Sequence, residues 1–375
     1  MRASILLLPG DGIGPEVVAA AASVLRAIAS RFHHEFELRE ALIGGAALRC
    51  GLAPLPDETL SAARAAKAIL LGAVGDPEFD RGDSTRRPES ALLAIRRDLK
   101  LYANLRPAKV WPGLESSGPL KTSVVAGTDM LVVRELTGGL YYGEPRGIAS
   151  DGSSAHNTMR YSRAEIDRIA RRAFEAARVR RKRVTSVDKA NVLETSRLWR
   201  QVVSDASKGY PDVALDHMLV DSCAMRLTLA PATFDVVLTE NMFGDILSDE
   251  AGAVVGSLGL LPSASLGDGP GLFEPVHGSA PDIAGKDIAN PVGAIGSAAM
   301  LLRHSLGLED EARAIEEAIG DALKAGVRTA DLAEGAEKKV GTREMASEIE
   351  SRIANREPRT ANREPRTANR GRPGS

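Results

Sequence analysis

Apolar runs that end at glycine or at polar residues recur along the chain and alternate with helical patterns. Residues 3–8 (ASILLL) run into the segment PGDGIGP, after which Pro15 opens an alanine-rich helical pattern. Further apolar runs at residues 68–71, 184–187 and 235–239 are each followed by glycine or by polar residues. This order is typical of buried strands that lead into helices, so the pattern predicts an α/β fold.

An amphipathic helix is predicted between residues 166 and 177. Its apolar positions follow the helical period: Ile166, Ile169, Ala170, Ala173, Phe174 and Ala177. The arginine-rich run at residues 178–183 is interpreted as a solvated helix end, where cations interact favourably with the helix dipole, and not as a nucleic-acid patch.

Composition narrows the class of protein. The chain has 375 residues, 43% of them hydrophobic and 26% charged, with a formal net charge of -2. We expect a soluble globular protein of two packed units, with no general attraction to nucleic acid or membranes. Cys50 and Cys223 are too few and too distant for a metal or redox motif, which favours a reducing, cytoplasmic location. No apolar run reaches membrane length.

The last residues, 354–375, differ from the rest of the chain. They repeat the heptapeptide ANREPRT and carry six arginines against two glutamates, without a large apolar side chain. We expect a disordered tail, because such a segment cannot bury enough surface to offset its ordering entropy. Nucleic-acid binding through the tail is the alternative, and it would give salt-sensitive DNA binding that is lost when residues 355–375 are deleted.

The glycines of the segment PGDGIGPEV do not fit a dinucleotide-binding fingerprint. Gly10, Gly12 and Gly14 lack the GxGxxG spacing, and no acidic partner follows at the required distance. The segment is interpreted as a tight glycine turn into the following helix.

Two carboxylates in the segment NMFGDILSDE, Asp245 and Asp249, are one helical turn apart and share a helix face. A hard divalent cation such as Mg²⁺ or Mn²⁺ would relieve their repulsion and would need a third oxygen ligand, for which Asp221 is a candidate. The alternative is an exposed capping pair.

Five further side chains are candidates for substrate chemistry. Arg96, Arg106 and Arg134 have apolar neighbours, so partly buried guanidinium groups that need anionic partners are expected. With a metal they would suit a small dicarboxylate, whereas each alone is more often a structural ion-pair partner. Lys189 follows a strand at its carboxyl end and could accept a proton, and Tyr141 could donate one. Ordinary packing or surface placement is the alternative for both.

The segment LFEPVHGSAPDIAGKDIANP, residues 272–291, is polar although it lies between apolar helices. It is predicted to be an ordered ligand-binding loop. Amides near Gly278 and Ser279 would approach phosphates, and His277 would contact a base. Asp282 would accept ribose hydroxyls and repel a 2′-phosphate, which favours NAD over NADP.

Six motifs together resemble one family, the β-decarboxylating dehydrogenases of the isocitrate/isopropylmalate dehydrogenase type. They occur in order over about residues 3–352: GDGIGPEV, NLRPAKV, VRELTGGLYYGEPRG, SVDKANVLETSRLWR, ENMFGDILSDEAG and FEPVHGSAPDIAGKDIANP. The tail from residue 354 has no counterpart in the family pattern.

The resemblance implies an open α/β sheet structure that is distinct from the Rossmann fold and has two domains. Residues 1–101 and 256–353 would form the first domain, on the cofactor side. Residues 102–255 would form the second, with the substrate and metal residues. The resemblance also implies a homodimer whose second domains pair through an arm near residues 138–161.

The implied activity is NAD-dependent oxidative decarboxylation of (2R,3S)-3-isopropylmalate to 4-methyl-2-oxopentanoate, a step of leucine biosynthesis. Hydride would pass from C2 to NAD while Lys189 accepts the hydroxyl proton. Loss of CO₂ would leave an enolate, stabilised by the metal and then protonated by Tyr141.

The resemblance assigns a role to each candidate residue. Catalysis would fall to Tyr141 and Lys189; substrate binding to Arg96, Arg106, Arg134, Asp221, Leu92 and Leu93; Mg²⁺ or Mn²⁺ binding to Asp221, Asp245 and Asp249; and NAD binding to Glu89, His277, Gly278, Ser279, Ala280, Asp282, Ile283 and Asn290. Lys189 and Asp221 would come from the partner subunit.

Substrate choice in this family depends on the helix that precedes Arg96. There Leu92 and Leu93 would offer an apolar surface to an isopropyl group and leave the third carboxylate of isocitrate without a partner. A relative that acts on tartrate, malate or another alkyl-malate stays open, since these substrates also lack that carboxylate. A catalytically silent regulatory subunit of the same fold is the alternative outside enzymes, although the metal, lysine and tyrosine positions are all filled.

The cofactor-facing loop departs from the family pattern, because Asp76, Glu78 and Phe79 stand where glycine, lysine and tryptophan are expected. We hypothesise that the added negative charge weakens NAD binding or alters the ordering of the loop. Glu78→Lys is then expected to lower the Michaelis constant for NAD, which steady-state kinetics would measure. An unchanged constant would remove the hypothesis.

Overall fold

Strands and helices alternate along the chain in a computed structural model that describes residues 1–79, 87–332 and 336–355. The strands are β1 (Arg2–Gly10), β2 (Glu35–Glu40), β3 (Ala68–Ala73), β4 (Ala103–Lys109), β5 (Asp129–Glu135), β6 (Gly147–Ile148), β7 (Ala155–His156), β8 (Arg183–Asp188), β9 (Ala214–Leu219), β10 (Val236–Thr239), β11 (Pro262–Leu266), β12 (Gly271–Pro275), β13 (Val327–Arg328) and β14 (Lys338–Lys339). The helices are α1 (Gly14–Phe32), α2 (Gly45–Arg49), α3 (Asp57–Ala65), α4 (Glu89–Asp98), α5 (Thr122–Val125), α6 (Arg163–Arg178), α7 (Glu194–Ser207), α8 (Val220–Leu229), α9 (Asn241–Val255), α10 (Val292–Leu306), α11 (Glu309–Lys324) and α12 (Thr342–Asn355). The α/β prediction is confirmed.

Within the described residues, ten strands form one sheet in the order β2-β1-β3-β12-β11-β4-β5-β10-β8-β9. The first four strands are mutually parallel, and so are the last four. Strands β11 and β4 join these two blocks through antiparallel pairs. The antiparallel centre and the strand order differ from those of the Rossmann fold, as predicted.

The ten strands of the sheet form two neighbouring sets, according to the part of the chain from which they come. Strands β4, β5, β8, β9 and β10 come from residues 102–255 and are neighbours in the sheet, whereas the other five come from the flanking stretches. The two sets meet at the β11–β4 pair. The division into domains at residues 101 and 255 stays a prediction, and this pair is where it would fall.

Helices cover both faces of the sheet. Leu105 and Val133 pack with α1, α6, α10 and α11 on one face, while Ala108 and Val132 pack with α8 and α9 on the other. Side chains alternate between the two faces along a strand. Arg106 follows Leu105 and pairs with Val132 across the sheet, so it lies on the α9 face.

Helix α6 carries the predicted apolar face, and all six predicted positions are buried. Its start is set by a capping box, in which Ser162 accepts a hydrogen bond from the Glu165 amide and the Glu165 carboxylate accepts one from the Ser162 amide. The arginine run is not simply a solvated helix end as predicted. Arg180 is half-buried and donates hydrogen bonds to Asp235 and Asp129, because Asp235 is buried and its carboxylate needs a cation.

The predicted boundary of the tail is two residues too early. Helix α12 continues through residues 354 and 355, because its buried face extends to Ile353 and holds the last turn in place. The predicted disorder of the tail otherwise concerns residues 356–375, which lie outside the described residues. Within the part of the chain that is described, no helix is long and apolar enough to cross a membrane.

The core contact of α6 gives a stability prediction. Phe174 is fully buried and stacks on Tyr210 with ring centroids 5.0 Å apart. Phe174→Ala is expected to lower the free energy of unfolding by about 3–5 kcal/mol, through lost transfer energy and a cavity. Urea unfolding measures this loss. Val179→Ala is the control, since Val179 is 88% exposed, and an equal effect of both changes would refute the assigned packing.

Candidate active site

Two arginines on the α9 face of the sheet pair with the two carboxylates predicted to share a helix face. Arg134, near the end of β5, donates to Asp245, and Arg106 of β4 donates to Asp249 over 3.1 Å. Arg106 also lies 3.5 Å from Asp245. The side chains of Arg106 and Arg134 are only 12% and 4% exposed. The structure therefore brings four of the predicted site residues into one charged cluster.

The alternative of an exposed capping pair is wrong for Asp245 and Asp249. The N-cap of α9 is Glu240, whose carboxylate accepts hydrogen bonds from the amides of Met242 and Phe243. Glu240 is buried, and burial raises the pKa of its carboxyl group. The two aspartates thus have no capping role and pair with the arginines, although the Asp249 side chain is 60% exposed as that alternative expected.

Burial shifts the charges of this cluster. Burial and repulsion from Arg106 lower the pKa of Arg134 to about 10, while Asp245 acts in the opposite direction. Burial likewise lowers the pKa of Arg106. For Asp249, burial raises the pKa, with Arg106 opposing the shift and Asp245 adding to it. Both arginines remain cationic at neutral pH, and Asp245 and Asp249 are the anions that offset their charge in this structure.

Amide side chains that the sequence analysis did not single out fix the orientation of both arginines. The Asn241 Oδ1 atom accepts from Arg134 Nε and Nη2 at 3.0 and 2.8 Å, and Asn104 Oδ1 accepts from Arg106 Nε at 2.8 Å. The Tyr161 hydroxyl accepts a hydrogen bond from the backbone N–H of Asn241 and donates one to the Glu240 carboxylate. The sequence feature that could have indicated a role for Asn241 is its position in the ENMFGD motif.

Tyr141 joins the same cluster. Its hydroxyl donates to Asp245 Oδ2 over 2.9 Å, and the guanidinium of Arg134 lies 5.8 Å from the centre of its ring. The phenol is 38% exposed. Burial and the neighbouring Asp245 carboxylate raise the pKa of Tyr141, so its proton is retained at neutral pH. A ligand in the cluster would therefore meet a hydroxyl that can donate a proton.

Arg96 already has an anionic partner within the chain. It forms a buried ion pair with Glu274, with 2.7 Å between its Nη2 atom and the Glu274 Oε1 atom. Arg96 is near enough to lower the pKa of both Arg106 and Arg134 by repulsion. The three predicted arginines are thus neighbours, but Arg96 also has the structural ion-pair role that the sequence analysis gave as its alternative. Its Nε atom is buried and has no hydrogen-bond partner in residues 1–79, 87–332 and 336–355.

Lys189 and Asp221 form a separate pair. Lys189 Nζ donates to Asp221 Oδ1 over 2.6 Å, and this hydrogen bond lowers the pKa of Asp221. Lys189 is 29% exposed and follows β8 directly, at its carboxyl end as predicted. Among the residues that the structure describes, no three acidic, histidine or cysteine side chains converge as a metal site. One chain therefore does not bring Asp221 together with Asp245 and Asp249.

The loop predicted to bind the cofactor follows β12 and contacts the PGDGIGP segment. The Ile13 amide donates to the Ser279 carbonyl over 2.8 Å. Gly12 is required there, because its φ is +56° and an added Cβ would lie 1.9 Å from the same carbonyl oxygen. The glycine turn is thus confirmed as the entry to α1, and it also supports the loop.

His277 and Gly278 offer an open place for a ligand. His277 Nδ1 lies 2.9 Å from the Gly278 carbonyl oxygen, while His277 Nε2 is buried and has no hydrogen-bond partner among the described residues. Burial lowers the pKa of His277, so the imidazole is neutral at pH 7. Space around the Gly278 Cα is open. The orphaned buried nitrogen of His277 and the open backbone of Gly278 each fit a bound cofactor with hydrogen-bonding groups.

The other predicted cofactor residues differ in their placement. Asp282 is exposed, Ile283 is half-buried, and Ala280 has a positive φ of 39°. Asn290 is buried and donates to Asp331 over 3.0 Å. Glu89 is the first residue of α4. Its carboxylate is close to Gly75, because a Cβ added at Gly75 would lie 3.2 Å from Glu89 Oε1. Of the residues in this paragraph, Glu89 and Asp282 have exposed charged side chains that a ligand could contact.

The acidic residues of the cofactor-facing loop have a cation of their own. Arg49 at the end of α2 pairs with Asp76 and, over 3.3 Å, with Glu78. The Glu78 amide also donates to Asp76 over 3.1 Å. The negative charges of this loop are therefore partly offset, and the loop is tied to α2.

Comparisons with known proteins agree with the family resemblance of the sequence motifs. Residues 4–349 match the family profile described as Isocitrate/isopropylmalate dehydrogenase. Proteins named 3-isopropylmalate dehydrogenase from Priestia megaterium and Aquifex aeolicus are 56% and 57% identical over 358 and 347 residues. These alignments cover 95% and 92% of this chain and 97% and 95% of those proteins.

Solved structures show the same architecture. Isocitrate dehydrogenase from Methylococcus capsulatus matches with a TM-score of 0.84 at 39% identity, over 94% of this chain and 99% of that one. A β-decarboxylating dehydrogenase from Thermococcus kodakarensis matches with a TM-score of 0.76 at 38% identity, over 94% and 96% of the two chains. The chain belongs to the isocitrate/isopropylmalate dehydrogenase family.

Proposed function

We propose that this chain is a 3-isopropylmalate dehydrogenase, which oxidises and decarboxylates 3-isopropylmalate with NAD in leucine biosynthesis. The observation that carries the proposal is the cluster of Arg106, Arg134, Tyr141, Asp245 and Asp249, which combines anion-binding, acid and metal-ligating groups. Relatives of that name, about as long as this chain and more than half identical to it, support the substrate.

Helix α4 supports the choice of an alkyl-malate. Leu93 is 44% exposed and Leu92 is half-buried, so both have surface left for an apolar group. Arg96, one turn further along, is held by Glu274. An isopropyl group would cover Leu92 and Leu93, whereas the third carboxylate of isocitrate would be left there without a partner.

The residues present fit a divalent cation and NAD. Asp245 and Asp249 would supply carboxylate oxygens, and His277 with the open backbone at Gly278 would face the cofactor. When bound, the cation supplies Lewis acidity at the C2 oxygen and NAD accepts the hydride. Within the described residues one chain offers only two converging carboxylates, so a third would come from Asp221 of the partner subunit.

The residues of this chain then bind the substrate and move its protons. Arg106 and Arg134 bind the carboxylates of the malate, and their hydrogen bonds to Asn104 and Asn241 keep them oriented before the substrate arrives. Lys189 of the partner subunit, in its neutral amine form, accepts the proton of the C2 hydroxyl as hydride leaves. Tyr141 donates its phenolic proton to the carbon that has lost CO₂.

Exposed apolar side chains support a homodimer. Met225 and Leu229 on α8 and Ile246 on α9 are 60–68% exposed. Asp221, Met225 and Leu229 recur every four residues and share one face of α8, while Ile246 lies next to Asp245. A second copy that covers this apolar surface would carry its own Asp221 towards Asp245 and Asp249.

We also place the protein in the cytoplasm. Cys50 and Cys223 are both free thiols, and Cys223 is buried. Free thiols in a chain of this size suit a reducing compartment.

A substrate panel tests the proposed function. We expect metal-dependent NADH formation from 3-isopropylmalate, and at least about a tenfold lower kcat/KM for isocitrate, tartrate and malate, because one mismatched group in a site costs a tenfold factor or more. NADP should be the poorer cofactor. A preference for another malate would keep the chemistry and overturn the Leu92/Leu93 argument. Inactivity with all four substrates would favour a regulatory subunit.

The proposed dimer surface has its own test. Met225→Glu places a charge in the apolar surface and is expected to convert the dimer to a monomer and to abolish activity. Size-exclusion chromatography with light scattering measures the mass. Val179→Glu, which places the same charge at an exposed apolar position at the end of α6, should leave mass and activity unchanged. A Met225→Glu protein that keeps the dimer mass would contradict the assigned surface.

A further inference from the structure

A second cavity, of about 430 Å³, shares no lining residue with the candidate active site. We call it the basic cavity, after the four basic residues that line it: Arg64, Lys67, Arg172 and His304. Ser305 and parts of the glycine-rich stretch 266–271 complete its wall. The charged side chains that line it are all basic, so its electrostatic potential is positive.

The cations of the basic cavity are poorly neutralised. Among the described residues, Arg64 and Lys67 form no ion pair, and Arg172 has only a 3.7 Å contact to Glu175. The Nε atom of Arg172 is buried and has no hydrogen-bond partner within the part of the chain that the structure describes. The Arg172 side chain is nevertheless 39% exposed, so part of it is open to a ligand in the cavity.

The pKa of His304 reflects the same positive electrostatic potential. Burial, repulsion from Arg303 and repulsion from Arg172 lower its pKa to about 4, against a smaller opposite effect of Glu309. His304 nevertheless keeps exposed surface on the cavity side, and it is neutral at pH 7. An anion beside it would stabilise the protonated imidazole and reverse the shift.

Small residues keep the cavity open. An added Cβ on Gly271 would lie 2.9 Å from the Ser305 hydroxyl and 2.8 Å from the ring of Phe273. A larger side chain is therefore excluded at position 271, and the Ser305 hydroxyl lies next to Gly271 in the cavity wall.

The helix dipole accounts for only part of this arrangement. Arg64 lies in the last turn of α3 and His304 in the last turn of α10, where basic groups interact favourably with the helix end. Arg172 lies in the middle of α6, and Lys67 lies in the connection to β3. Their convergence with Arg64 and His304 needs another reason.

We propose that the basic cavity binds a phosphate group, either free or carried by a small metabolite. A phosphate offers several charged acceptor oxygens, which matches two guanidinium groups, an ammonium group and a hydroxyl better than a single carboxylate does. Because α3 and α10 belong to the first predicted domain and α6 to the second, the ligand would join the two parts of the chain. This inference goes beyond the proposed function and does not rest on it.

Histidine NMR on the full chain tests the site with inorganic phosphate as the probe, at fixed ionic strength. The His304 signal is identified by its loss in His304→Asn. We expect phosphate to move this signal saturably and to raise the His304 pKa. Arg64→Glu should raise the dissociation constant at least about tenfold, since a charge-assisted hydrogen bond is lost.

The matched control is Arg26→Glu, which makes the same charge change at an exposed position of α1. It should leave the dissociation constant unchanged. A His304 signal that phosphate does not move, that moves without saturation, or that responds equally in both variants would overturn the site. Turnover of 3-isopropylmalate is measured separately, so failure here is distinguishable from failure of the proposed function.

Discussion

Burial of two arginines in the middle of the sheet is the constraint on which the candidate site depends. A guanidinium taken out of water is costly unless it is paired and hydrogen-bonded. Arg134 meets this need through Asn241 and Asp245, and Arg106 through Asn104, Ser248 and Asp249. Helix α9 must therefore sit against β4 and β5 with its two aspartates facing the strands. The groups that hold the fold together here are the groups proposed to bind the substrate and the cation.

Local patterns in the sequence were sufficient to predict much of this arrangement. Strand-to-helix transitions, the buried face of α6 and the one-turn spacing of Asp245 and Asp249 all depend on residues near one another in the chain. Period and spacing describe such features because neighbouring residues share an element. The position of Lys189 after a buried strand followed from the same kind of pattern.

Long-range pairing could not be predicted in this way. Arg96 and Glu274 are 178 residues apart, and nothing near Arg96 indicates which acid neutralises it. The link from Tyr161 to Glu240 and Asn241 likewise joins distant segments behind the site. In the cofactor-facing loop, the negative charge of Asp76 and Glu78 was visible in the sequence, but its partner Arg49 was not. Sequence alone shows an unpaired charge, and only the tertiary structure supplies the counterion.

The most direct test of the central proposal is complementation between two inactive variants. Tyr141 hydrogen-bonds to Asp245, while Lys189 pairs with Asp221, and in the proposed dimer each complete site would combine the first pair from one copy with the second pair from its partner. Tyr141→Phe and Lys189→Ala proteins would each be inactive alone. Unfolded together and refolded as a mixture, they should regain up to about a quarter of wild-type turnover of 3-isopropylmalate, since half of the dimers are mixed and each has one intact site. No recovery in a mixture with proven mixed dimers would contradict a shared site and place Lys189 and Tyr141 of one chain in the same active site.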